Sequence, residues 1–311
     1  MKKIIYSIII FFFVFCCIEL FCRCFCIGKP VSDERNSIYQ YDSYLGWFPI
    51  PDVSAIVSDS ESSREYKHNS LGFRDIEHNY KEKTKKRIMF LGDSFCYGYG
   101  ISQKYIFTEL LRDKLEEYEL FNCGISGYGT DQEYLLLVKY IDIIKPDIVI
   151  LLLCDNDVKD NVYNNAYYGY YKPYFILKNN KLILNGIPVP KSWLYYKNNF
   201  FVKHSFFINY MVKTFICLKN PCVITNHFSI MGNILNEIVS ILNIYNSKLI
   251  FSIAKDTSSH EFKEILKNNN CPFIDLENDN VRSEYDFHWN EKGHQFVADK
   301  IYDFFKEEKY K

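Results

Sequence analysis

The sequence predicts an α/β fold: a doubly wound three-layer sandwich around a five-stranded, mostly parallel sheet, preceded by an N-terminal transmembrane helix. Three observations predict it. From Arg87 onward, short apolar runs alternate with helical segments that carry one apolar face, and strands separated in this way pair in parallel with helices on both faces. The run "PDIVILLL" (146–153) is β-branched and leucine-rich throughout, as a strand buried on both faces must be. The chain also opens with two lysines followed by a nearly unbroken apolar stretch.

That stretch, "MKKIIYSIIIFFFVFCCIELFCRCFCIG" (1–28), is the first element. Its apolar run matches the ~20 residues that cross a hydrocarbon core. Glu19 and Arg23 lie near its end, one helical turn apart, where they can pair or reach the interface. Lys2 and Lys3 place the N terminus in the cytoplasm and the remainder outside, periplasmic or extracellular. A cleaved signal peptide is the alternative, but no small-x-small site follows. Phe15 is too bulky for a lipobox preceding Cys16. An uncleaved anchor over 1–28 is the reading.

Residues 29–86 read as an extension that packs on the core. It is polar, with short pieces such as "YLGWFPIP" and "NSLGFRD", whose Trp47, Phe48 and Phe73 are expected to be buried. The charge run "KEKTKK" (81–86) marks a boundary. The main domain is 87–311, with an insertion at about 161–225 that is rich in Tyr, Asn and Lys.

Within the main domain the order is regular at first. "RIMFLG" (87–92) is a strand, "KYIFTELLRDKLEEY" (104–118) a helix and "LFNCG" (120–124) a strand. "TDQEYLLLVKYIDII" (130–144) is a second helix, capped by Thr130 or Asp131, and leads into "PDIVILLL". In the insertion, "YFILKNNKLILNGIPVP" (174–190) reads as a hairpin turning at Asn179-Asn180. Helix and strand then resume as "GNILNEIVSILNIYN" (232–246), "KLIFSIA" (248–254), "EFKEILKNN" (261–269) and "CPFIDL" (271–276). The closing helix, "NEKGHQFVADKIYDFFKEE" (290–308), presents Phe296, Val297, Ile301 and Phe304 on one face.

Charge and cysteine use narrow the function classes. The 37 basic and 38 acidic side chains nearly cancel, and no basic stripe appears, so nucleic acid is not an expected partner. Of eleven cysteines, five accompany the anchor and six are scattered, with no CxxC pair or metal spacing. Most are expected to be free and buried. No metal or cofactor is implied: Asp155 and Asp157 lack a spaced His or third carboxylate.

In a doubly wound sheet, ligands bind beyond the carboxyl ends of the strands. The residues there are Gly92-Asp93-Ser94 after the first strand and Asn122, Gly124, Ser126 and Gly127 after the second. Asp155, Asn156 and Asp157 follow the third, and Asp286 and His288 in "DFHWN" precede the last helix. These are the parts of an acyl-transfer site. Ser94 is the nucleophile, His288 the base that takes its proton, and Asp286 the acceptor that orients the imidazole. The backbone N–H groups of Ser94 and Gly127 and the side-chain amide of Asn156 can stabilise an oxyanion, at about 2.7–4 kcal/mol per donor. Asp93 and Asn122 are read as loop scaffolding and Cys96 as packing. His294 is read as helix packing or surface, and His204 and His227 as structural or exposed.

These blocks resemble the SGNH (GDSL-type) hydrolase superfamily. Gly92-Asp93-Ser94 matches its first block, Gly127 in "NCGISGYGTDQ" its second and "DFHWNEKGH" its last. Its third block, Gly-x-Asn-Asp, stands here as Cys154-Asp155-Asn156-Asp157. The resemblance spans about 87–308. It implies a flavodoxin-like fold with Ser94 as nucleophile, Gly127 and Asn156 as oxyanion donors, His288 as base and Asp286 as its partner. Two departures stand out: Cys154 replaces the block glycine, and one residue rather than two separates acid from base. "YLGW", "NSLGFRD", "KPYFILKNNKLILNGIPVP" and "KHSFF" resemble a membrane-anchored bacterial subgroup, without assigning roles.

The expected function is a serine esterase that removes a small acyl group, O-acetyl above all, from a cell-envelope glycan. Three alternatives share the scaffold: an O-acyltransferase with the same triad, a lipid-directed esterase, and a non-catalytic glycan-binding protein.

Overall fold

The computed structural model describes residues 2–30, 37–58, 63–154, 156–165, 169–179, 181–196, 198–223, 227–254, 271–276, 278, 281–283 and 288–307, with the side chains of 227–229 excluded. The expected helix 261–269, Asp155, Asn180 and Asp286 lie outside them.

The chain begins with α1 (Lys2–Cys24), followed by two hairpins, β1 (Tyr39–Asp42) with β2 (Gly46–Pro49) and β3 (Ser54–Ser58) with β4 (Ser63–Lys67). The alternating region runs β5 (Lys86–Leu91), α2 (Ser94–Tyr97), α3 (Phe107–Arg112), β6 (Tyr118–Asn122), α4 (Thr130–Ile144), β7 (Ile148–Leu153) and α5 (Asp157–Asp160). The hairpin β8 (Tyr174–Lys178) and β9 (Lys181–Asn185) comes next, then α6 (Phe200–His204), α7 (Phe206–Lys219) and α8 (His227–Ile244). The chain returns through β10 (Lys248–Ile253) and β11 (Phe273–Asp275) to α9 (Glu291–Lys306).

Five strands form one sheet in the order β11-β10-β7-β5-β6, every neighbouring pair parallel. Period-two alternation splits their side chains between two cores. Ile88, Phe90, Leu120, Ile150 and Ile250 face α3 and α9, while Met89, Leu91, Phe121, Val149 and Phe251 face α4 and α8. Both faces are covered, which is why β7 is apolar throughout and wholly buried. After β5 the chain adds β6 on one side and then β7 on the other. The crevice beyond Leu91 is therefore the topological switch point.

Several local expectations change. The segment 104–118 is not one helix: Ile106 takes extended backbone (φ −64°, ψ 139°) between a 3₁₀ turn at Gln103–Tyr105 and the short α3. The chain then turns on N–H bonds to Leu111 O and Leu115 O to enter β6. Gly129, not Thr130 or Asp131, is the α4 N-cap; Asp131 is instead inside the helix and buried against Lys172. On α9 the fully buried face is Val297, Ala298, Ile301 and Phe305, with Phe296 and Phe304 only partly covered. None of the eleven cysteines, all among the described residues, forms a disulfide, and only Cys22, Cys96, Cys123 and Cys154 are buried.

Trp47, Phe48 and Phe73 are buried and join the α4–α8 core, where Phe73 packs edge-on to Phe48 and Tyr140. The most consequential contact of this upstream region is Arg74, 1% exposed. Its guanidinium donates to Gly98 O and to Ile101 O (2.6 Å), and sits 4.0 Å from the Tyr66 ring centroid. It thereby ties down the chain leaving α2. Arg74→Met should orphan those carbonyls, each costing about 1–3 kcal/mol. Denaturant unfolding at equilibrium should register the loss as a lower midpoint.

Candidate active site

Ser94 follows β5 at the switch point and opens α2. The turn is held from both ends. Asp93 caps α2, accepting from Phe95 N at 2.9 Å. Gly98 closes it in the left-handed region (φ 76°), returning its N–H to Ser94 O at 3.1 Å. Tyr97 beneath is bonded through its hydroxyl to His68 Nε2 at 2.8 Å. Burial pulls His68 down to about 4, so it remains a neutral partner.

The loop after β6 crosses directly over α2. A Cβ at Gly124 would lie 2.4 Å from Tyr97 N, so only glycine permits this crossing. Asn122 ties the loop: its Oδ1 accepts from Gly124 N (3.1 Å) and from Cys96 Sγ (3.5 Å), and its Nδ2 donates to Thr108 Oγ1 (3.3 Å). Gly127 adopts φ +81°. Trp47 Nε1 donates to Ser126 O at 3.1 Å. Because a trans peptide points its C=O and N–H in opposite directions, that bond also fixes the heading of the Gly127 N–H. Among the described residues, neither the Ser94 nor the Gly127 N–H meets an acceptor.

His288 reaches the same rim from the other end of the chain. Its Nε2 lies 2.8 Å from Ser94 Oγ, across 194 residues of sequence. The imidazole is flanked by Phe95 and Tyr99, ring centroids 5.1 and 5.0 Å away. Its loop is anchored by Trp289, buried against Phe95 and Phe107, and by His288 O accepting from Ser283 N at 2.7 Å. Asn290 caps α9 by accepting from Gly293 N at 3.0 Å. The other sequence candidate, His294, is buried in α9, where its Nδ1 accepts from Phe107 N at 3.3 Å. His204 is on the surface, bonded to Phe200 O at 2.8 Å.

Asn156 lies three residues past the end of β7, at the start of α5. Its Nδ2 donates to Asp160 Oδ2 at 2.8 Å. Burial pushes the nearby Asp93 carboxyl up, and the Asn156 amide only partly offsets this. Cys154, in place of the block glycine, gives its thiol to Asp93 Oδ1 at 3.6 Å and its N–H to Asp157 Oδ2 at 2.8 Å. Sequence reasoning missed what surrounds this amide. Burial pushes Asp160 up to about 6. It pushes Glu133 and Asp157 well above the usual carboxylate range, with neighbouring carboxylates adding to the effect. Lys172, from the segment between α5 and β8, is the cation among them, bonded to Asp131 and to Asp160 O (2.8 Å). Asp160, four residues after Asn156, sits at a helical spacing that could have flagged it. Nothing local could have flagged Lys172.

A family model, GDSL-like Lipase/Acylhydrolase, matches residues 88–301. The chain belongs to this family. It is an SGNH-type serine hydrolase acting on ester bonds, with the α/β fold of that superfamily and an N-terminal apolar helix added. Among solved structures it is similar to the psychrotrophic esterase EstA from Pseudoalteromonas sp., at 16% identity and a TM-score of 0.44, covering 72% of this chain and 98% of that one. It is also similar to the acetyl xylan esterase AlAXEase (17% identity, TM-score 0.42, 70% and 98% covered) and to TesA (10%, 0.44, 71% and 99%). No curated protein sequence matches it.

Burial holds His294 down to about 3 against an ordinary 6.5. As pH falls from 6.5, the unfolded chain takes up that proton before the folded one, so stability present above 6.5 is lost on acidification toward 3. His294→Asn keeps an acceptor near the Nδ1 position and removes the titration. Melting temperature measured from neutral to acid pH should fall less steeply in the variant, and ester turnover should persist.

Proposed function

We propose that Ser94, His288 and Asp286 form the catalytic triad, and that the Ser94 and Gly127 N–H groups with the Asn156 amide form the oxyanion hole. The observation that carries this reading is the 2.8 Å contact between His288 Nε2 and Ser94 Oγ. Ser94 Oγ attacks the ester carbonyl carbon while its proton passes to His288 Nε2. The oxyanion is met by donors already in place. Collapse breaks the C–O bond, and the departing alcohol takes the proton from His288. Water then repeats the sequence to release the acid and restore Ser94.

The amide of Asn156 has two faces that differ only in O and N. An ionised Asp160 accepts and cannot donate, so it holds the nitrogen end toward itself and sets the direction of the second N–H. The substrate in this reading is a small acyl ester, O-acetyl above all, on a cell-envelope glycan. Placement supports it: α1 is long and apolar enough to cross a membrane, and Lys2 and Lys3 favour a cytoplasmic N terminus with the hydrolase outside.

Turnover of p-nitrophenyl esters of increasing chain length tests the reading. The acetyl ester should be preferred, and Ser94→Ala and His288→Ala should each reduce kcat to background. Asn156→Ala should cost about 10²–10³ in kcat. A preference for long chains would move the substrate to lipids, and full activity of Ser94→Ala would refute the triad.

Asp160 gives a separate readout. Its raised value means that stability present below about 3.8 is lost as pH rises through about 6. Asp160→Asn should therefore gain melting temperature over the wild type increasingly from acid to alkaline pH, while its kcat falls with KM little changed.

A further inference from the structure

Helices α6 and α7 leave more apolar surface open than an insertion in water requires. Phe200, Phe201, Phe215 and Leu218 are 67, 63, 67 and 78% exposed, and Met211 is exposed beside them. Met211, Phe215 and Leu218 recur at i, i+4 and i+7, one stripe along α7. Exposed Lys203, Lys213 and Lys219 lie among them. The only residue of α7 buried in the protein is polar, Asn209.

What α7 touches identifies the occupant of that stripe. Glu19 lies within α1, five residues from its end, or about 7.5 Å along the axis. A carboxylate at that depth needs donors, because lipid offers none. The start of α7 and its cap supply three: Glu19 accepts from Ser205 Oγ (2.7 Å), Phe206 N (3.1 Å) and Phe207 N (3.0 Å). Arg23 Nε of α1 itself adds a fourth at 2.7 Å. The positive end of a 14-residue helix therefore seats on the one acid of the span. Phe207 packs edge-on to Phe15, a further turn into α1, at 5.9 Å. Asn209 Nδ2 donates to Gly28 O at 3.0 Å, just beyond the helix. The start of α7 thus shares the depth of residues 15–28.

We propose that α6 and α7 lie in the bilayer interface beside α1, with Phe200, Phe201, Met211, Phe215 and Leu218 among the lipid chains. The inference rests on reading α1 as a retained membrane span. The seat fixes how the hydrolase domain stands on the membrane, rather than leaving it free on a tether. Continuity with α1, whose apolar residues from Ile4 to Val14 are all exposed, favours lipid over a second copy of the chain.

The test uses the full chain in phosphatidylcholine vesicles whose lipids carry bromine on the upper acyl chain, a short-range quencher of indole. Trp47, Trp193 and Trp289 are all buried, so the wild type supplies the baseline. The fluorescence added by Phe215→Trp and by Leu218→Trp should fall by about half or more. That of Ile56→Trp, on the exposed β3, should not change. No added quenching at 215 and 218, in protein of full mass that resists carbonate extraction, would overturn the proposal while leaving the anchor intact. Unquenched indoles together with cross-linked dimers would assign the stripe to a second copy and also overturn it. A mass lacking residues 1–28 would overturn the anchor reading, and this seat with it.

Discussion

The 2.8 Å separation between Ser94 Oγ and His288 Nε2 is the distance that the rest of the domain maintains. Neither residue is held by a long element. Ser94 stands on a four-residue helix, and His288 on a loop whose neighbour Trp289 is sunk into the α3–α9 core. The parallel sheet brings the two ends of the chain to one rim, and small, local devices then hold them there. On the serine side these are the Asp93 cap, the left-handed Gly98 and the Arg74 guanidinium on Gly98 O and Ile101 O. On the histidine side they are Trp289, Ser283 and the Asn290 cap.

The region upstream of the sheet is part of this apparatus. It contributes Arg74 and His68 beneath α2, and Trp47 against the Ser126–Gly127 peptide. Gln132 Nε2 reaches back to Leu45 O at 2.7 Å and Tyr128 OH to Trp47 O at 2.6 Å, so the loop after β6 is clasped on both sides. Beneath Asn156 the arrangement runs against stability. Asp93, Asp131, Glu133 and Asp157 are buried close together with Lys172 as their cation, and burial raises each carboxyl. Strain of this kind concentrates at functional sites.

What could be read from the sequence was local or periodic. The α4 helix runs Thr130–Ile144 as its apolar spacing indicates, and the hairpin turns at Asn179 in the left-handed region. The continuous apolar run 148–153 is the central strand. Rim residues follow from the rule that ligands lie beyond strand ends, so Ser94, Gly127 and Asn156 are legible as candidates from the sequence alone. Contacts that side chains make across long sequence separations are not. Lys172 with Asp131, Arg74 with Gly98 and Glu19 with α7 leave no periodic signal, because each depends on where two elements come to rest. The α9 face differed for a related reason: helical spacing identifies a stripe, but its neighbours decide which edge is covered, here Ala298 and Phe305 rather than Phe296 and Phe304.

In the proposed triad, His288 activates Ser94 for attack. The most direct measurement is covalent capture: treat the protein with a fluorophosphonate, digest it, and locate the adduct by mass spectrometry. A single phosphonyl group should appear on the peptide containing Ser94 and form far more slowly in His288→Ala. An adduct on another residue, or labelling of Ser94 at an undiminished rate without His288, would contradict it.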